Sequence, residues 1–125
     1  EMPVNSIWEG AGNIMAIDLL RALRKGDVAG ALQAELAPAR GAHAALDRMI
    51  DALPTRIDAL ANETEARRLA QDVALALQGA LLAQTAPAAV TDAFCASRLG
   101  GDWGHAFGTL SARADMDAII ARAMP

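Results

Sequence analysis

The stretch "NSIWEGAGN" sets a carboxylate, Glu9, between an indole, Trp8, and two glycines, Gly10 and Gly12, just ahead of an amphipathic pattern. A carboxylate that takes a proton from a weakly acidic carbon must approach its substrate closely, on a backbone that is sterically open. Trp8 and Gly10 meet both needs, since burial against an aromatic ring raises a carboxyl pKa toward neutrality and glycine leaves room for the approach. A solvated loop carboxylate fits the same spacing, so the residues alone leave both readings open.

Other polar residues offer less. His43 and Asp47 lie four apart on a helical pattern, the spacing of an exposed ion pair. His105 sits among Gly101, Gly104 and Gly108 without a second histidine or cysteine at metal-binding spacing. Cys95 has no partner for an internal disulfide and reads as a small buried side chain. The segment "GAGNIM" lacks the third glycine of a dinucleotide fingerprint, with Met15 in its place, and no strand pattern precedes it. No GxxxxGK phosphate loop occurs. No metal site is expected.

The elements that must position these residues read as helices. The 31 alanines of the 125-residue chain, the absence of tyrosine and the scarcity of β-branched and aromatic residues argue against a sheet. A first helix is expected from Asn13 to Lys25, closed by Gly26, with Met15, Ala16, Leu19, Leu20, Ala22 and Leu23 on its apolar face. Ile14 and Ile17 fall toward its polar side, as they would if the helix also packed on something outside this chain. Asp27 is expected to cap a second helix carrying Val28, Leu32 and Leu36, which Pro38 and Gly41 end.

Leu46, Met49, Ile50, Leu53, Ile57 and Leu60 keep one register across Pro54, which predicts a single kinked helix. A helix from Glu63 to Gln84 is apolar on two sides and should be central, with Glu63, Glu65, Arg67 and Arg68 as a solvated face. A fifth opens at Thr85 and Pro87 and closes at Gly100 and Gly101, and a last one carries Met116, Ile119, Ile120, Ala123 and Met124. Trp103 and Phe107 are expected to cover one end of the bundle. The fold class is therefore all-α, an antiparallel bundle of five to six helices in a single domain, residues 1–12 forming a loop and 13–125 the bundle.

A net charge of −4 with one lysine, Lys25, gives no basic field for a phosphate backbone. DNA is thus unsupported by charge, although Arg21, Arg24 and Lys25 could join a larger patch. With no secretory leader pattern and no apolar run of membrane-spanning length, a cytoplasmic location and no membrane partner are expected. A mean hydropathy of +0.21 points to apolar surface covered by a partner, most simply in a homo-oligomer. Glu1 in first position and a site-like motif so close behind it lead us to expect part of a longer protein.

"IWEGAGNIMAIDLLRAL" resembles the start of the C-terminal helical domain of acyl-CoA dehydrogenases, in which an aromatic residue, glutamate and glycine open a long helix. "PVNSIWEG" with "DAFCASRLGGDWGHAFGTL" is similar, more narrowly, to the DNA-alkylation-response branch of those flavoenzymes. The resemblance implies α,β-dehydrogenation of an acyl-CoA thioester with FAD as cofactor. Glu9 matches the catalytic base, Trp8 the aromatic residue lining the acyl site, and Gly10, Ala11 and Asn13 positions that approach FAD. Ala11 departs from the family's usual threonine, or serine in this branch, and so lacks a hydroxyl for the cofactor. The family also needs an N-terminal helical domain and a β domain that this chain lacks, so the chain alone is expected to be inactive. The alternative of a different class is a non-catalytic oligomerisation or interaction module, with a contribution to DNA binding.

Overall fold

A computed structural model describes residues 12–25, 27–59 and 65–125. Among them are six α-helices and no strand: α1 (Gly12–Leu23), α2 (Val28–Leu36), α3 (Ala44–Ala59), α4 (Ala66–Thr85), α5 (Ala88–Phe94) and α6 (Met116–Ala123). A 3-10 turn, Ala37–Ala39, follows α2, and a π turn, Cys95–Leu99, extends α5. The chain is an all-α bundle, as its composition requires.

α4 is the central helix and touches α1, α2, α3, α5 and both short turns. Its buried stripe, Ala66, Leu69, Asp72, Val73, Ala76, Gly79 and Ala80, is mostly small, so neighbouring backbones approach closely. At Gly79 a Cβ would lie 3.3 Å from Leu46 Cδ1 and 3.4 Å from Leu99 Cδ1, so the missing side chain lets α3 and the π turn close over α4. Leu46, Ile50, Leu53 and Ile57 of α3 complete the core with Leu20, Leu32, Leu36 and Cys95. Burying each of the large aliphatic side chains contributes roughly 1.5–3 kcal/mol.

α3 runs unbroken through Pro54. The proline removes one backbone donor, and the buried residues on either side of it hold the helix together. The π turn closes with Gly100 N–H donating to Cys95 O at 2.8 Å, and Gly101, at φ +78°, turns the chain away. Thr109 organises the loop that follows: its Oγ1 accepts from Gly104 N–H at 3.0 Å and donates to Ala106 O at 2.7 Å. Asp115 caps α6 by accepting from Ala118 N–H.

Several details differ from the sequence reading. Only Ala16, Leu20 and Leu23 of α1 are buried, whereas Met15 and Ala22 are exposed, because α1 is covered on one flank, mainly by α4. α2 starts beside Asp27 without a side-chain capping bond. Phe107 is 93% exposed and Trp103 is exposed too, so neither closes the bundle; Trp103 instead stacks under Arg98, 4.6 Å from the ring centroid. Leu81 of α4 and the apolar stripe of α6 also face outward. Gly26, Leu60 and Glu63 lie outside the described residues.

Candidate functional site

The glutamate motif precedes α1 in the sequence. Trp8, Glu9, Gly10 and Ala11 lie outside the described residues, and of Asn13 only the backbone, in the first turn of α1, is described. What the structure does define is the platform behind them. Ala16, Leu20 and Leu23 fix α1 on the bundle, and Ile14 and Met15 project outward beside the motif, Ile14 56% exposed. Ile14 thus faces away from the core, as its place in the helical pattern anticipates, and Met15 joins it.

Gly12 opens α1, and the guanidinium of Arg67, in the first turn of α4, lies against it. A Cβ at Gly12 would sit 3.1 Å from Arg67 Nη2 and 3.2 Å from Cζ. Sequence reasoning placed Arg67 on a solvated face. It missed this contact because nothing in local spacing links residue 12 to residue 67.

The first turn of α1 contains no acidic side chain.

The remaining candidates resolve into structural roles. His43 is not paired with Asp47: its Nδ1 accepts from Ala45 N–H at 3.1 Å, capping α3, while Asp47 Oδ1 accepts from Gly41 N–H at 3.0 Å. Cys95 is fully buried, and burial, followed by the nearby Asp92 carboxylate, pushes its thiol up to about 11. It is protonated at neutral pH and a poor nucleophile. His105 is exposed, and no group of three metal-ligating side chains occurs among the described residues.

Three surface clefts stand apart from α1. One of about 440 Å³ runs between α5 and the 110–115 segment past His43, Asp92 and Asp115. A smaller apolar one of about 260 Å³ is bounded by Phe94, Trp103 and Ile119. The third, about 520 Å³, is lined by Arg56, Arg68, Asp72 and Arg98. None of these three has an α1 residue in its wall.

No family model matches the chain. Over 25 residues the chain is 76% identical to the Escherichia coli (strain K12) protein named "Putative acyl-CoA dehydrogenase AidB". That stretch is 20% of this chain and spans only 5% of the relative's length. An all-helical chain thus carries a short segment similar to an AidB-type protein, which supports the acyl-CoA dehydrogenase resemblance at the level of family. No helix among the described residues is long and apolar enough to cross a membrane.

Proposed function

We propose that this chain is the C-terminal helical domain of an FAD-dependent, acyl-CoA dehydrogenase-like oxidoreductase in which Glu9 is the catalytic base. The 76% identity to AidB carries this reading, with the all-α fold in support. Glu9 takes the proton α to the thioester carbonyl, whose electron withdrawal acidifies that carbon. FAD, when bound, supplies the acceptor for hydride from the β carbon. Trp8 lines the acyl group and excludes water, and Gly10, Ala11 and Asn13 let the backbone approach the cofactor. The missing N-terminal and β domains complete the pocket, so the chain alone is inactive. A cytoplasmic location belongs to the same reading, supported by the free, buried thiol of Cys95.

The test uses the complete protein. Glu9→Gln should abolish bleaching of the flavin spectrum by an acyl-CoA while flavin stays bound. Retained bleaching would refute the assignment of Glu9.

A second reading, a helical interaction module that forms homo-oligomers, is favoured by α6. None of its residues is buried, and Ile120 and Met124 are 58% and 67% exposed. Sedimentation of the complete protein with Ile120→Asp tests it: a smaller assembly than wild type supports an interface there, and an unchanged one removes it.

A further inference from the structure

We propose that the cleft between α3, α4 and the π turn binds a small molecule through a phosphomonoester group, gripped by the guanidinium groups of Arg56, Arg68 and Arg98. The site stands apart from the glutamate motif and is independent of the reading of Glu9 as base.

Three arginines from three different elements line this one cleft of about 520 Å³, a size within the range of about 300–1,000 Å³ that small-molecule sites occupy. Two of them are already held. Arg56 donates through Nη1 to Asp72 Oδ2 at 2.6 Å, and its five N–H donors are more than one carboxylate can occupy. Arg98 lies over the Trp103 ring, 4.6 Å from the centroid. A guanidinium held by its flat face keeps its N–H donors around the edge, where an anion can meet them. Arg68, in the first turn of α4, forms no ion pair with a described residue. Because two of the three cations are fixed beforehand, a ligand has less side-chain freedom to remove.

Arg98 reaches the cleft from the π turn, Cys95–Leu99, a kind of irregularity that recurs where a helix serves a site. The charges in the wall then select the anion. Asp72 is offset by Arg56, and Glu65, which precedes α4 without making a side-chain capping bond, stands against Arg68 and Arg98. Three arginines against two carboxylates leave the wall net positive.

A carboxylate ligand offers its oxygens in a single plane, which one arginine fork satisfies. A phosphomonoester presents three acceptor oxygens on three sides and a charge of about −1.5 to −2 at neutral pH, which matches cations arriving from α3, α4 and the π turn. A phosphodiester carries less charge and fewer terminal oxygens. The chain's net charge of −4 also works against an extended nucleic-acid backbone.

Calorimetric titration of the complete protein, with any flavin left bound, tests the site with phenyl phosphate, diphenyl phosphate and benzoate as probes. Phenyl phosphate should bind saturably and the most tightly of the three. Arg68→Gln, a change at an exposed side chain, should weaken it about ten- to a hundredfold, and Arg98→Gln should do the same. Glu65→Gln should tighten it about two- to fivefold, because an opposing charge is removed. Arg113→Gln, in the cleft beside His43, should leave it unchanged. The proposal is overturned if phenyl phosphate shows no saturable binding below about 10 mM, or if Arg68→Gln binds it as wild type does. Benzoate binding equally well would also overturn it, by making the cleft a general anion site. Equal or tighter binding of diphenyl phosphate, or displacement of phenyl phosphate by duplex DNA at the same phosphate concentration, would replace the monoester with a diester backbone.

Discussion

Arg56 on α3 meets Asp72 on α4 across the core interface, Nη1 to Oδ2 at 2.6 Å, with the Asp72 side chain only 12% exposed. Asp72 falls in the buried stripe of α4, among Leu69, Val73 and Ala76, where a carboxylate without a partner would be costly. Arg56 reaches it from the rim, its Nη1 also donating to Met49 Sδ at 3.9 Å.

This relationship predicts a marked asymmetry between variants. Arg56→Met should destabilise the protein by about 2 kcal/mol, because it strands the Asp72 carboxylate. Adding Asp72→Leu to it should recover most of that loss. Urea unfolding of the two variants checks the point, and strictly additive losses would show that the two side chains are not coupled.

Cys95 gives a pH dependence of defined sign. Its thiol is raised from an ordinary 9.0 to about 11, first by burial and then by Asp92. The unfolded chain therefore releases this proton before the folded one does. Its contribution to stability is complete below about pH 9 and is lost as pH rises to about 11, an effect of about 2–3 kcal/mol. Cys95→Ala should show a shallower fall in stability over that window than wild type. At neutral pH the thiol should react with a disulfide reagent only as fast as the protein opens, and rapid labelling of the folded protein would contradict its burial.

His43 is a helix cap, and its replacement should behave as one. His43→Ala removes the acceptor for Ala45 N–H and should cost about 1 kcal/mol, while His43→Asn, whose side chain can accept the same bond, should cost little. Chemical unfolding separates these outcomes. An Asp47→Ala variant should act independently, by freeing Gly41 N–H in the preceding turn.

What the sequence made legible was phase along the chain. Leu46, Ile50, Leu53 and Ile57 announced α3 through Pro54 because a 4-3-4 apolar register outweighs one lost backbone bond. α4 was recognisable as central because it is apolar on more than one side. Contact between distant elements was not legible. Met15 and Ala22 share the apolar arc of α1, yet neighbouring helices cover only the part held by Ala16, Leu20 and Leu23. His43 and Asp47 have the spacing of an ion pair, but Ala45 N–H in the first turn of α3 and Gly41 N–H before it give each a backbone partner first. Trp8, Glu9 and Gly10 leave a base and a solvated carboxylate both open and lie outside the described residues, whereas Arg67 against Gly12 joins residues that only the folded chain brings together.

The same difference between apolar pattern and apolar burial sets the last expectation. Ile50 and Ile120 each belong to an amphipathic helical stripe, but Ile50 is fully buried and Ile120 is 58% exposed. Ile50→Ala should cost about 2–5 kcal/mol, the sum of lost transfer energy and the cavity left behind. Ile120→Ala, and Phe107→Ser in the neighbouring loop, should each change the stability of a dilute monomer by no more than about 0.5 kcal/mol. If the exposed stripe of α6 is an interface, the cost of Ile120→Ala should instead grow with protein concentration, since association stabilises the folded chain by mass action. Thermal unfolding across a wide concentration range distinguishes the two, because a surface residue without a partner gives one midpoint shift at every concentration.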